Sequence, residues 1–148
     1  MRYLFVGFLA AAFLCGCKGD DKKAGTPRTI TDSTQFTTIQ WLDSTSKDYG
    51  KITEGQLLEV SFRFRNSGNK PLVIERVQPS CGCTVALQSP EPIPPGGEGQ
   101  IKASFNSRGR KGANHKTLFV YGNTKDTRTH TLQFVVQVEK TDSADKKH

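Results

Sequence analysis

The stretch Leu57–Asn66, LLEVSFRFRN, decides the fold because apolar and polar residues alternate along it. Its apolar positions are Leu58, Val60, Phe62 and Phe64, and the positions between them are Glu59, Ser61, Arg63 and Arg65. Successive side chains of a β-strand point to opposite faces of the sheet. The stretch therefore predicts a strand with one buried and one solvated face, which is typical of an antiparallel sheet.

The segments on either side follow the same two-residue period and are separated by turn residues. Residues 66–69, NSGN, predict a turn, and residues 92–99, PIPPGGEG, predict a loop. Further strands are predicted at residues 36–42, 72–77, 101–105, 118–120 and 132–138, with a short edge piece before Gly50. No segment has the pattern of a helix of useful length. About seven short strands over residues 34–139 predict one antiparallel β-sandwich domain.

Residues 1–16 have the composition of a cleaved signal peptide. Arg2 supplies a positive start, and the apolar run of about a dozen residues that follows is too short to span a bilayer as a mature helix. The end of this region, LCGC at residues 14–17, resembles a bacterial lipobox, which places the lipidated residue at Cys17. Several acyl chains such as palmitate anchor a protein stably to a membrane. The sequence thus predicts a lipoprotein of the cell envelope, which we expect at the outer membrane.

Residues 17–33 and 140–148 are expected to flank the folded domain. The first segment is the lipidated cysteine with a polar tether, and the second is a polar tail. The formal net charge of +7 favours acidic surfaces such as anionic lipid or glycan. No aromatic and basic readout motif is present, so nucleic acid is not an expected partner. The expected partners are the membrane, through the anchor, and another envelope protein or an anionic glycan.

Two short motifs give the chain a resemblance to a known family. Residues 80–84 read SCGCT, and residues 93–96 read IPPG with Gly99 following. Together with the aromatic strand at 36–41 and the YGKI segment at 49–52, this pattern resembles the domain of unknown function family 1573. The resemblance covers about residues 36–138, and that family is common in envelope lipoproteins of Gram-negative bacteria. It implies an immunoglobulin-like sandwich and no assigned activity.

Cys81 and Cys83 are the two cysteines of the predicted domain. In an exported protein such a pair can form a disulfide, and residues i and i+2 can reach the required Cα separation of about 4.4–6.8 Å. The bond would close a very short loop and add little stability, whereas a labile disulfide would serve thiol exchange. The same two sulfurs, as thiolates, suit Cu(I) or Zn(II). Structural packing, redox exchange and metal binding are therefore three standing interpretations.

Three histidines are the candidates to complete a metal site with these cysteines, since a closed zinc site needs four ligands. They are His115, His130 and His148. A histidine in a basic loop or at a strand end is more often a plain surface residue, so no cofactor is expected.

The basic loop at residues 107–116, SRGRKGANHK, is a second candidate site. Its cations are Arg108, Arg110, Lys111 and Lys116, and two glycines allow it to bend. Such a loop can bind the phosphate or carboxylate groups of envelope glycans and lipids. The alternative, which we favour, is a solvated loop whose charges prevent the sheet edges from associating.

Catalytic signatures are absent from the sequence. It contains no GxSxG, HExxH or GxxxxGK[ST] motif, and its carboxylates show no paired spacing. The sequence therefore predicts no catalytic residue and a non-catalytic binding or assembly module. The turn at residues 81–83 and the loop at residues 94–97 are expected at its working end. The alternative function is a thiol-redox or copper- or zinc-binding protein that uses Cys81 and Cys83.

Overall fold

The computed structural model describes residues 33–87 and 91–140, which fold as two packed β-sheets. The eight strands of these residues are β1 Ile39–Trp41, β2 Ser46–Thr53, β3 Leu57–Asn66, β4 Ile74–Pro79, β5 Thr84–Leu87, β6 Glu98–Asn106, β7 Gly112–Gly122 and β8 Thr129–Glu139. One sheet has the order β1-β3-β6-β5 and the other β2-β8-β7-β4. The predicted β-sandwich is confirmed. The predicted leader, most of the tether and the tail from residue 141 onward lie outside the described residues.

The core lies between the sheets and is built from the alternating apolar positions. Phe62, Phe64 and Phe105 from the first sheet and Phe134 from the second are fully buried. The rings of Phe105 and Phe134 meet edge to face across the sandwich, 6.1 Å apart. Burial of each such side chain stabilises the folded state by about 1.5–3 kcal/mol. The apolar side chains at the alternating positions are therefore the main source of the stability of the fold. Within the residues described, no helix is long and apolar enough to cross a membrane.

Besides differences at strand ends, as in β1 and β4, the strands depart from the sequence prediction in three places. β2 is not a short piece before Gly50 but runs through it, and it pairs in parallel with β8. β7 begins at Gly112, so half of the predicted basic loop is strand. The short strand β5 was not predicted at all.

A buried asparagine, Asn66, ties together the loops at one end of the sandwich. Its side-chain oxygen accepts hydrogen bonds from Thr37 Oγ1 (2.8 Å) and the Gly68 amide (3.1 Å). Its amide nitrogen donates to the carbonyls of Lys70 (2.7 Å) and Ile93 (2.9 Å). Gly68 has to be glycine, because a Cβ there would lie 2.1 Å from Thr37 Oγ1. One side chain therefore holds the N-terminal segment, the turn after β3 and the loop before β6.

Asn123, also fully buried, performs the same role after β7. Its side chain donates to the carbonyls of Gln35 (2.7 Å) and Pro71 (2.9 Å) and accepts from the Val73 amide (2.7 Å). Its carbonyl accepts from the Thr37 amide at 2.9 Å. Among the described residues, no buried side-chain nitrogen or oxygen is left without a hydrogen-bond partner.

We expect Asn66→Ala to lower the free energy of unfolding by about 3 kcal/mol, because several main-chain groups lose their partner while staying partly buried. The matched control is Asn69→Ala in the same turn, where the side chain is exposed and the change should stay within about 0.5 kcal/mol. Chemical denaturation of the two variants measures both values. Equal effects at the two positions would show that Asn66 does not clamp the loops.

Candidate functional site

Residues 80–83 carry the chain from one sheet to the other at a lateral edge of the sandwich. The Ser80 amide donates to the Thr117 carbonyl (2.9 Å), and the Thr117 amide donates to Ser80 Oγ (3.2 Å), which fixes the start of the turn to β7. The Asn106 amide donates to the Cys83 carbonyl (3.0 Å), which fixes its end to β6. The crossing is therefore short and held at both ends.

Cys81 and Cys83 form a disulfide within this crossing, with their Cα atoms 5.4 Å apart. Both residues are partly exposed, and the space around Gly82 is open. Cys83 packs against the hydrophobic core. Cys81 Sγ lies 3.8 Å from the hydroxyl of Thr84, which is buried. The two sulfurs thus have different surroundings, one against the core and one beside a hydroxyl.

The described residues do not assemble a metal site around these sulfurs. No group of three or more histidine, cysteine, aspartate or glutamate side chains in ranges 33–87 and 91–140 could hold a metal ion. His115 is exposed on β7, and His148 lies outside the described residues. A closed zinc site with Cys81 and Cys83 therefore has no further ligands in this part of the chain.

His130 is held in a structural contact. Its ring meets Trp41 edge to face at 5.8 Å, and its Nε2 lies 2.9 Å from Thr124 Oγ1. Burial lowers the pKa of His130, and the charge of Asp126 offsets part of that shift. The imidazole is therefore favoured in its neutral form, packed between the two sheets.

The predicted basic loop contains its own counter-ion. Glu54 accepts a hydrogen bond from the Gly109 amide (3.1 Å) and pairs with Lys111 Nζ (3.6 Å). Arg108 and Arg110 are exposed beside it. The fourth predicted residue, Lys116, lies apart on β7, with its Nζ 5.4 Å from the centroid of the buried Phe105 ring. Burial, with a smaller effect of Arg110, lowers the pKa of Lys116.

The four cations are thus not gathered around one anion position, and a carboxylate of the chain occupies the loop. Anion binding by Arg108, Arg110, Lys111 and Lys116 stays a prediction.

An apolar groove on the outer face of the first sheet was missed by sequence reasoning. Leu57, Val85 and Leu87 are the large apolar side chains of the described residues that are mostly exposed, by 58%, 59% and 60%. Val85 stands beside Ser104 of β6, Leu87 beside Lys102 and Leu57 beside Asn106. An open groove of about 510 Å³ runs along β6, with Leu57 and Leu87 among its walls and polar side chains such as Ser104 and Lys102 along its floor.

One wall of this apolar groove is the edge strand β5. The Cys83 carbonyl faces β6, and main-chain directions alternate along a strand, so the N–H and C=O of Ala86 point away from β6. β5 carries no charge and no proline. The signal in the sequence was the alternation in TVAL at residues 84–87, which is too short to count as a periodic segment.

The other three sheet edges carry features that discourage strand association. β1 is only three residues long, β2 has an irregularity between Asp48 and Lys51, and β4 ends in Pro79. Arg76 of β4 also stacks over the ring of Tyr121, at 4.0 Å from its centroid. β5 is also short, with four residues, but it differs from these edges in its exposed apolar side chains Val85 and Leu87.

The expectation that the 81–83 turn and the 94–97 loop share one working end is wrong. The loop contacts Asn66 at the end of β3, where Gly96 N donates to the Asn66 carbonyl (2.8 Å). That position is at the start of β6, whereas the turn contacts Asn106 at the end of β6. The nine residues of β6 separate the two.

Comparison with solved structures shows that this immunoglobulin-like β-sandwich is similar in fold to several known proteins, a PapD-like domain among them. A protein of unknown function from Porphyromonas gingivalis W83 matches with 17% identity and a TM-score of 0.61, over 72% of this chain and 49% of that one. The chain thus spans about half the length of that protein. The ASH/PapD-like domain 7 of human CEP192 matches with 14% identity and a TM-score of 0.54, over 95% of this chain and 100% of that domain.

The YadV chaperone matches with 16% identity and a TM-score of 0.51, over 68% of this chain and 52% of that one. At these identities the likeness concerns the fold alone. The sequence matches the family described as "Protein of unknown function (DUF1573)" over residues 39–138, and the chain belongs to that family. No curated protein matches the chain.

Because burial lowers the pKa of His130, acid should destabilise the fold through this residue. As the pH falls through the ordinary histidine value of about 6.5, the unfolded chain binds the proton first, and the loss is complete below the pKa of the folded state. We expect the midpoint of thermal unfolding to fall between about pH 7 and about pH 5, and to fall less in His130→Gln.

Circular dichroism across this pH range measures both proteins. His115→Gln, at an exposed position, is the control and should keep the wild-type profile. Asp43 does not interfere, since hydrogen bonds from Arg63 hold its pKa well below the ordinary range of a carboxyl. Parallel profiles for wild type and His130→Gln would contradict the assignment.

Proposed function

We propose that the protein is a non-catalytic binding module of the cell envelope, anchored by lipid on Cys17, which holds an extended segment of a neighbouring envelope protein in the apolar groove beside β5. The observation that carries this proposal is the presence of Leu57, Val85 and Leu87 on one sheet face, each more than half exposed. Exposed apolar side chains that line one groove among polar residues are a feature of interaction sites.

The shape of the groove supports an extended occupant. Segments in extended conformation bind sheets through main-chain hydrogen bonds to a free edge and through alternate side chains in surface pockets. β5 offers the main chain of Ala86 at its edge and the side chains of Val85 and Leu87 on its outer face. The volume of about 510 Å³ is within the usual range of ligand clefts.

The border of the groove is polar, as in protein interfaces. Glu59 and Lys102 line it, and neither forms an ion pair within the described ranges. Arg63 and Arg65 on the same face are instead neutralised by Asp43 and Glu98. Charged side chains at the border of an interface set register and partner choice more than affinity. A partner segment with apolar residues at alternate positions and charges beyond them would match this arrangement.

The lipid anchor that we propose at Cys17 is consistent with this function. A tether of polar residues between Cys17 and the domain would let the groove reach proteins near the membrane surface. An anionic glycan, the other expected partner, would match the basic loop rather than the groove. The apolar walls of the groove favour a protein.

A photo-crosslinking residue at position 87, in cells, tests the proposal. We expect a protein adduct at this position that is lost when Leu57→Lys is added, because a charge in the wall of the groove costs the contact about 1.4 kcal/mol or more, a tenfold loss of affinity. A crosslinker at Thr131, exposed on the other sheet, is the matched control and should give no such adduct. Leu57→Lys replaces an exposed side chain, so the unfolding midpoint should stay near that of wild type.

The identity of the adduct decides between the partners. Mass spectrometry should map the crosslink to an extended segment of one protein. Crosslinks to glycan or lipid, equal labelling from Thr131, or an adduct that persists with Leu57→Lys would each overturn the proposal.

A further inference from the structure

We infer that the Cys81–Cys83 disulfide exchanges with cysteine thiols of a protein segment lying along β5, with Cys81 carrying the mixed disulfide and Cys83 leaving as a thiolate. The position of the segment rests on the proposed function. The exchange chemistry of the disulfide rests on separate observations around the crossing at residues 80–83.

A purely stabilising role does not account for this bond. The two cysteines are separated by one residue, so the cross-link removes little freedom from the unfolded chain. The crossing is already fixed to β7 by Ser80 and to β6 by the Cys83 carbonyl. A bond that adds little to the fold is in turn little protected by it, and exposed disulfides are the labile ones.

The two sulfurs are suited to different roles. Cys83 packs against the core, whereas Cys81 does not. An incoming thiolate therefore has better access to Cys81 Sγ, past the open space at Gly82. The Thr84 hydroxyl, 3.8 Å from Cys81 Sγ, can donate a hydrogen bond to the Cys81 thiolate once the bond is broken. Thr84 is a positioning residue here, because its hydroxyl acts through the sulfur of Cys81 rather than on a substrate.

The disulfide lies directly beside the proposed binding strand. Cys83 is the residue before β5, and Val85 is two residues further along, or roughly 7 Å at the rise of a strand. A segment that contacts Val85 and Leu87 and continues past the start of β5 brings its own side chains to Cys81. A cysteine at that position of the segment is then held next to the bond it would attack.

The exchange is a two-step transfer of two electrons. A thiolate of the segment attacks Cys81 Sγ, which forms the mixed disulfide and releases the Cys83 thiolate. A second thiolate of the segment attacks its own sulfur in that mixed disulfide, which closes a disulfide in the segment and releases Cys81. The segment dithiol is oxidised, the Cys81–Cys83 bond is reduced, and the two protons from the segment thiols pass to the two cysteines. The step is stoichiometric and needs no other reactant.

Glutathione is the probe for the chemistry alone. We expect about 10 mM glutathione to open the bond in the folded protein within minutes, as measured by thiol counting and intact mass, whereas structural disulfides resist the glutathione pool. A folded protein that keeps the bond intact, while the urea-unfolded control is reduced, would overturn the inference.

Single cysteine variants test the two roles. With oxidised glutathione, Cys83→Ser should form a mixed disulfide on Cys81 at least tenfold faster than Cys81→Ser forms one on Cys83, because Cys83 packs against the core. Equal rates would overturn the assignment. Thermal unfolding shows whether both variants are folded. If either variant is unfolded, the pH dependence of alkylation is measured in the reduced wild-type protein instead. We expect one of its two thiols to be alkylated faster than the other at neutral pH.

At pH values below the pKa of the reactive thiol, Thr84→Val should lower its rate of alkylation roughly three- to tenfold. A change of one unit in the pKa is a tenfold change in the thiolate fraction there. Thr84→Ser keeps the hydroxyl and should restore the rate, which a merely structural role of Thr84 would not require. An unchanged alkylation profile in Thr84→Val would contradict the role of the hydroxyl.

The protein substrate is tested separately in cells. Cys83→Ser leaves a free Cys81 thiolate, which attacks the disulfide of the oxidised segment in the reverse of this exchange, and it should trap a disulfide-linked protein adduct that disappears on reduction and on addition of Leu57→Lys. If the disulfide exchanges with glutathione but no such adduct forms in cells, the inference that its substrate is a protein segment is overturned. The crosslink from position 87 does not depend on either cysteine. If the exchange fails while this crosslink forms, the binding function stands and the exchange is overturned. If this crosslink is absent while exchange with glutathione occurs, the binding function is overturned and the reactivity of the disulfide stands.

Discussion

The requirement that buried main-chain groups be hydrogen-bonded governs the ends of this sandwich, and two asparagine side chains meet it. A sheet satisfies its own main chain, but the segments that leave the sheet do not. Asn66 and Asn123 each offer donors and acceptors in one short side chain, and both are fully buried at loop junctions. Thr37 connects the two residues. Its hydroxyl donates to the side-chain oxygen of Asn66, and its amide donates to the main-chain carbonyl of Asn123. The alignment of β3, β6 and β7 at this end therefore depends on a small connected set of polar contacts.

At the two lateral edges of the sandwich, where the chain crosses between the sheets, the exposed main chain is covered to different extents. On one side the chain crosses between the sheets at residues 42–45. The carboxylate of Asp43 accepts hydrogen bonds there from the Arg63 amide, the Arg63 guanidinium and the Lys47 ammonium. Lys47 also donates to the Ser61 carbonyl, and the Tyr49 hydroxyl accepts from the Ser61 amide. The exposed side of β3 beyond β1 is thereby covered by side chains. On the other side the crossing at residues 80–83 carries a disulfide instead, and the strand that follows it is left uncovered.

These differences explain which parts of the structure could be predicted from sequence. β3 was predicted with its observed bounds because each of its inward positions is apolar and each outward position polar. β2 was not, since its parallel partner β8 lies more than eighty residues away and pairing direction has no local signal. The start of β7 reads as a loop because Asn114 and Lys116 occupy its inward positions. Asn114 is satisfied by the Arg110 and Gly112 carbonyls, a contact that exists only once the hairpin is formed.

The candidate site was predictable only as an unusual pair of cysteines. The spacing of Cys81 and Cys83 showed that a disulfide was feasible, but the apolar groove requires β5 and β3 to flank β6, which is a property of strand order. The same strand order joins the two features. Because the crossing takes only residues 80–83, β5 begins directly after the disulfide. In our proposal, recognition at the apolar groove and thiol chemistry at Cys81 are coupled by the shortness of this one connection, so a change in its length would separate them even if every residue of both sites were kept.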